Sequence, residues 1–257
     1  MQALFIGQAY IDVTMDAAAI PSGDDKAVAN DYAISFGGNA VTAAFASAKL
    51  GQVPDLLASV ADDWLGRMFT DMTQQYKIPL HARKVARSSL SFILPKDGKR
   101  AILRARDDAY LHPYPNLNIG GCQALHLDGH QHEAALHYAQ LCRKQNILTS
   151  LDGGSLRAGT FDLLGHIDVA IVAERLCQQM NISTEQMLDF LKSRGCKIGG
   201  VTEGERGMLW YDETGTIQRL QALPVEKNFV IDTSGAGDVF HGAYVASYMA
   251  RPGDPWV

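Results

Sequence analysis

Asp232-Thr233-Ser234-Gly235-Ala236-Gly237-Asp238-Val239-Phe240, continued by His241-Gly242-Ala243, is the stretch that decides how this chain is read. Small residues lead straight into an apolar run with helical spacing, Val239–Met249. A glycine-rich turn that opens a helix leaves backbone N–H groups without intrahelical acceptors, and the helix dipole adds partial positive charge to them. Together these features make an anion site. Asp238 is out of place beside an anion unless it has its own task, and a general base next to a phosphoryl-binding turn gives it one. Read more plainly, the glycines make a turn and Asp238 caps the helix.

A second glycine turn stands near the N-terminus: Phe36-Gly37-Gly38-Asn39-Ala40-Val41-Thr42-Ala43-Ala44. Glycines let a ligand approach the backbone closely. Asn39 offers both a donor and an acceptor, as sugar hydroxyls require, or else serves as a helix N-cap. Asp12 follows the first apolar run after a short turn. In open α/β sheets ligands bind at the carboxyl ends of strands, where one carboxylate can accept two hydroxyls.

Outward from these turns the chain alternates. Short apolar runs at Ala3–Ile6, Asp55–Val60, Ala124–Leu127, Ile147–Leu151, Val169–Val172 and Ile198–Val201 read as buried strands. Between them Ala40–Leu50, Leu65–Tyr76, Glu133–Gln145 and Thr184–Arg194 carry apolar residues on one helical face, the last opened by a capping box at Ser183-x-x-Gln186. The alternation predicts a three-layer α/β/α domain over residues 1–257 with a mostly parallel central sheet. Ile11–Met15, Lys26–Ser35 and the pair Ser88–Leu94 and Arg100–Arg104, joined at Asp97-Gly98, alternate apolar and polar residues. They predict a small β-sheet lid inserted at about 11–35 and 88–105. Gly207–Tyr211 and Ile217–Leu220 predict a hairpin at the edge of the main sheet.

Composition narrows the classes of function. Lys+Arg is 23 against Asp+Glu at 28, a net charge of -5, so neither nucleic acid nor an anionic membrane surface is an expected partner. No run of about 18 apolar residues predicts a membrane span. Four scattered cysteines and the absence of a basic leader point to the cytoplasm. His126, Asp128, His130, His132 and His137 crowd within twelve residues but match no zinc spacing, so no protein-held metal is expected. His130 is placed instead at the mouth of a ligand pocket, and Asp152 at the end of the next strand.

The two glycine turns, in this order and at this separation, resemble the signatures of the ribokinase-like (PfkB-type) carbohydrate kinases. Val60-Ala61-Asp62-Asp63 with Gly66, and Thr202-Glu203-Gly204-Glu205-Arg206-Gly207, are similar to further parts of that pattern. The resemblance spans nearly the whole chain. It implies transfer of the γ-phosphoryl group of ATP, with Mg²⁺, to a sugar hydroxyl. Asp238 would be the base, and Gly235, Ala236 and Gly237 the anion hole. Asp12, Gly38 and Asn39 would hold the sugar under the lid, with Phe92, Arg104 and His130 near it. Thr202, Gly204, Gly207 and Glu174 would lie along the nucleotide. Arg104 and Arg106 leave the lid hairpin, where they can meet an acidic substituent.

Two departures stand out. Where the family carries Asn-x-x-Glu, this chain reads Val172-Ala173-Glu174-Arg175-Leu176 and keeps only Glu174. The chain also stops at Trp256-Val257, where relatives run on into helices that wall the adenine, which reads as an interrupted chain. Two other readings stay open: a nucleoside kinase, and a non-catalytic sugar-binding protein of kinase ancestry. An exposed lid can also pair with a second copy to form a homodimer.

Overall fold

A computed structural model describes residues 1–18, 21–96, 99–226, 230 and 233–251. The Asp97-Gly98 turn, Asp232 and the Pro252–Val257 ending lie outside the described residues. Elements are numbered along the chain. Among the described residues the main sheet has nine strands. In spatial order these are β13 (Ile217–Leu220), β12 (Met208–Tyr211), β11 (Ile198–Thr202), β10 (Val169–Ala173), β9 (Leu148–Gly153), β8 (Ala124–Leu127), β1 (Ala3–Gly7), β4 (Pro54–Val60) and β5 (Leu80–Lys84). From β11 to β5 every pairing is parallel, and the β12–β13 hairpin closes one edge antiparallel, as the sequence predicts.

Strands covered on both faces need apolar residues on both sides, and β1 supplies them. Its Leu4 and Ile6 point to one core with Leu57, Leu127 and Tyr138, while Ala3 and Phe5 point to the other with Val41, Phe45 and Val245. The first core is roofed by α3 (His132–Lys144), α4 (Thr160–Leu164), α5 (Glu174–Met180) and α6 (Thr184–Ser193). The second lies under α1 (Asn39–Lys49), α2 (Trp64–Gln75) and α7 (Ala236–Ala250). The result is the three-layer α/β/α arrangement. The expected capping box opens α6, with Ser183 and Gln186 bonded reciprocally to each other's backbone N–H. Strand β5 and helices α4 and α5 have no counterpart in the sequence reading. The first is an edge strand with the polar sequence Leu-His-Ala-Arg-Lys, and the helices have 5 and 7 residues, too short for a periodicity to show.

The second sheet has the order β3 (Asp31–Gly37), β2 (Tyr10–Asp16), β6 (Leu90–Lys96) and β7 (Lys99–Ala105). Lys26–Asn30, expected as strand, is loop: Asn30 N–H donates to the Asp16 carbonyl at 2.7 Å, and pairing begins at Asp31. Register decides what the lid presents. Asp12 pairs with Ser35 on one side and Ser91 on the other, and Ser91 pairs with Arg104. Residues opposite one another in a sheet share a face. One face therefore carries Tyr10, Asp12, Ser91 and Arg104, and the opposite face carries Val13, Ile34, Phe92 and Leu103.

Candidate active site

Strand β1 has β4 on one side and β8 on the other, so the chain order reverses between β1 and β8. A crevice opens at the carboxyl ends of strands at such a reversal. Asp128 sits there, immediately after β8 and fully buried. Its carboxylate accepts from the His130 N–H at 2.9 Å and faces the His130 ring at 3.1 Å; the N–H groups of Ala40 and Gln8 approach it at 3.3 and 3.4 Å. Burial alone would raise its pKa. The His130 ring, Arg157 and the donated N–H groups outweigh that and hold it at about 2. One carboxylate thus pins together the ends of β1 and β8 and the start of α1. The sequence reading treated Asp128 only as part of a histidine-rich stretch. The signal for it was a carboxylate placed directly after a central parallel strand.

The N-terminal turn arrives at this crevice. Gly38 precedes α1 at φ 107°, and a Cβ there would lie 1.9 Å from the Gln8 carbonyl oxygen. Only glycine fits both the conformation and the space. The Asp12 carboxylate leans over Gly37, where a Cβ would lie 2.1 Å from its Oδ2, and Asp12 Oδ1 is buried with no hydrogen-bond partner among the described residues. Such an acceptor is costly to leave empty and suits a hydroxyl donor. Asn39, the first residue of α1, donates from Nδ2 to Asp152 Oδ2 at 2.9 Å. Asp12, Gly38, Asn39 and His130 are therefore brought together around the start of α1. Phe92 is not: the register turns it to the other face of the lid from Asp12, because side chains alternate along a strand.

The C-terminal turn comes to the same place. Gly235 takes a left-handed conformation, φ 73°, and a Cβ on it would touch Thr42 Cγ2 at 3.4 Å. Thr42 lies one turn into α1 and went unnoticed in the sequence reading. Ala236 N–H reaches the Thr233 carbonyl at 3.3 Å, a long bond, and Val239 N–H closes on Gly235 at 2.8 Å. Gly237 faces open space, with nothing within 4 Å of where a Cβ would be, and Asp238 is half-buried in the first turn of α7. Farther down, α7 crosses α1 so closely that a Cβ on Gly242 would lie 2.2 Å from the Ala43 carbonyl oxygen.

Beneath the two turns lies a buried polar set. His241, one turn after Asp238, brings Nε2 to 3.6 Å from Asp152 Oδ1, and its ring lies 5.2 Å from that of His126. His126 Nδ1 meets Ser150 Oγ at 3.2 Å. Burial lowers the pKa of both histidines; His241 lowers that of His126 further, while Asp152 pulls His241 the other way. Of the histidines in the 126–137 stretch, His126 faces the core, His132 approaches Asp162 at 3.5 Å and His137 packs on Tyr114. Among the described residues no three His, Cys, Asp or Glu side chains group as metal ligands.

The remaining expected residues gather at the ends of β10 and β11. Ala173 pairs with Thr202, which places Glu174 beside the 202–207 loop. Arg206 Nη2 holds Glu174 Oε1 at 2.6 Å, and Arg219 Nη1 holds the buried Glu203 at 2.6 Å. Gly204 is open to solvent with nothing within 4 Å of its would-be Cβ. Thr202, Gly204, Gly207 and Glu174 thus form a second group, several strands away from Asp12 and Asn39. The α7 turn stands against α1, on the side of Asp12 and Asn39. Arg104 lies on the Asp12 face of the lid, stacked over the Tyr10 ring at 4.4 Å.

Comparison with known proteins bears on the fold and the family. The chain is 23% identical to a ribokinase from Lactococcus lactis over 93% of this chain and 81% of that protein. Its fold superposes on Arabidopsis thaliana ribokinase complexed with ribose and ATP at a TM-score of 0.84, with 18% identity, covering 97% of this chain and 86% of that one. A nucleoside kinase from Methanocaldococcus jannaschii gives a TM-score of 0.76 at 20% identity, over 97% and 85%. Residues 2–255 match the pfkB family carbohydrate kinase pattern, and the chain belongs to that family.

Proposed function

We propose that this chain is an ATP-dependent kinase that moves the γ-phosphoryl group to a hydroxyl of a sugar or sugar derivative. The observation that carries this reading is the approach of Gly235 to Thr42, where an added Cβ would lie 3.4 Å from Thr42 Cγ2, which sets the glycine turn and Asp238 of α7 against the start of α1, where Asp12 and Asn39 stand. The Lactococcus and Arabidopsis relatives support a sugar acceptor.

The roles follow from the chemistry. Phosphoryl transfer passes through a loose transition state, so positioning and charge stabilisation do most of the work. Asp12 accepts acceptor hydroxyls at its empty Oδ1. Asp238 takes the proton of the attacking hydroxyl late in the transfer. The N–H groups at Gly235, Ala236 and Gly237 face the phosphoryl oxygens; Ala236 must first give up its long bond to Thr233. Thr202, Gly204 and Gly207 line the nucleotide. Mg²⁺ enters on the ATP phosphates. Arg206 holds one carboxylate oxygen of Glu174, Oε1, at 2.6 Å. The role of Glu174 is to hold the nucleotide loop through Arg206.

Two further parts of the reading concern the lid surface and the cysteines. The outer lid face exposes Tyr32, Ile34 and Leu103 beside Phe92, an apolar patch suited to a second copy of the chain. A monomer mass in solution at micromolar concentration would remove the homodimer. All four cysteines are buried free thiols, in keeping with a reducing cytoplasm.

The test is acceptor-dependent ADP release from MgATP across ketoses, aldoses, sugar acids, sugar phosphates and nucleosides, with Asp238→Ala as control. Turnover on a sugar, lost in the variant, supports the proposal. Turnover on nucleosides alone makes it a nucleoside kinase. Sugar binding by calorimetry without turnover on any acceptor makes it a binding protein.

A further inference from the structure

One guanidinium stacks on the buried Tyr10 ring and a second lies at Asp128, at the neighbouring strand end. Arg104 reaches the ring from β7 and stacks at 4.4 Å, with its Nε on Ser91 Oγ at 3.1 Å. Arg157 comes from the loop after β9, its Nε on the Asp128 carbonyl at 3.2 Å and its stem packed against Gly129. Arg106 follows β7. Burial raises the Tyr10 pKa, and the charges of Arg104, Arg106 and Arg157 pull it back.

The carboxylates nearby are mostly spoken for. Asp108 pairs with Arg106 at 3.1 Å. Asp107 accepts from the N–H groups of Arg87 and Ala109. Asp128 is satisfied by His130 and backbone N–H groups. Among the described residues neither Arg104 nor Arg157 has a carboxylate partner. Asp12 remains, but it stands two strands from Arg104 on the same face, about 10 Å away at ordinary strand spacing. That separation is the span of a substituted sugar.

We propose that the acceptor carries an anionic group, a carboxylate, phosphate or sulfonate, which Arg104 binds with help from Arg157, while Asp12 takes hydroxyls at the other end. A guanidinium fork stacked on an aromatic ring and fixed at Nε keeps both terminal nitrogens for two-point contact with such an oxyanion. Arg104 is exposed at the lid edge, where an incoming acceptor can reach it. The inference rests on the kinase reading above, deepens it by naming the substrate class, and is separable from it because binding can be read without turnover.

The experiment compares a neutral ketose and a neutral aldose with the matching sugar acid, sugar phosphate and sulfonated sugar. Calorimetric affinity and kcat/KM are measured on the full chain and on Arg104→Ala, Arg104→Lys and the distant surface control Arg67→Ala. One anionic acceptor is expected to bind about 10- to 100-fold tighter than its neutral counterpart. Arg104→Ala should collapse that ratio, Arg104→Lys should recover part of it, and Arg67→Ala should leave it unchanged. Which anion wins distinguishes carboxylate, phosphate and sulfonate. Equal or better binding of neutral sugars, an equal loss for both classes in Arg104→Ala, or an equal loss in Arg67→Ala would overturn the inference. Anion-selective binding without any turnover would uphold it and sink the kinase reading instead.

Discussion

The side-chain amide of Asn39 donates to the Asp152 carboxylate at 2.9 Å, so the first residue of α1 is tied to the end of β9, 113 positions away. Asp152 also faces His241 of α7, and it is nearly buried. Asp152→Ala strands the buried polar groups it now serves. We expect about 1–3 kcal/mol less stability in urea unfolding and a rise in acceptor KM larger than the fall in kcat. Asp152→Asn keeps an acceptor for Asn39 and should recover part of the loss. Wild-type stability in the alanine variant would show that the contact holds nothing in place.

Asp238→Asn keeps the size of the side chain and removes the proposed base. A fall in kcat of about 10²- to 10⁴-fold is expected, with nucleotide and acceptor affinities held within a few-fold by calorimetry. Turnover near the wild-type rate would mean that the proton leaves by another route.

Two glycines of one helix should separate stability from activity. A Cβ on Gly242 would lie 2.2 Å from the Ala43 carbonyl, so Gly242→Ala forces α1 and α7 apart at a cost of about 1–3 kcal/mol. Gly237 has open space where a Cβ would stand, so Gly237→Ala should keep or gain stability while its methyl group enters the proposed phosphoryl site. Thermal melts and kcat measured side by side should show opposite orders of damage in the two variants.

Acid should destabilise the fold in two stages. His126 and His241 are held below the ordinary 6.5 by burial, so the unfolded chain takes up protons first and stability declines as pH falls below that value. Asp128 is held at about 2 against an ordinary 3.8, and its contribution, complete above 3.8, is lost as pH falls through 2. Urea midpoints at pH 8, 5.5 and 3 follow both stages. His241→Asn should flatten the step between pH 8 and 5.5, and a midpoint that does not move over that interval would contradict the first stage.

Much of this was legible in the sequence. The buried strands of the central sheet declare themselves as short apolar runs, and the two glycine turns stand out because residues such as Gly38 cannot be replaced. Polar edge strand β5 is invisible because it is half-covered and carries no alternation strong enough to read. Side-chain facing within the lid depends on strand register, so Phe92 could be placed in the lid from sequence but not on its outer face. Asp128, Asp152, Thr42 and His241 acquire their roles only where distant segments meet, a relation that spacing along the chain does not encode.

The α1–α7 crossing has a consequence for how the protein is made. Ala43 leaves the ribosome roughly 200 residues before Gly242, which at about 5–20 residues per second is a wait of roughly 10–40 s. During that interval the side of α1 that will receive α7 has nothing to close it. The α1–α7 contact therefore forms long after α1 is made, and a nascent chain arrested before α7 emerges would present a bare, alanine-lined surface for chaperones and proteases to recognise.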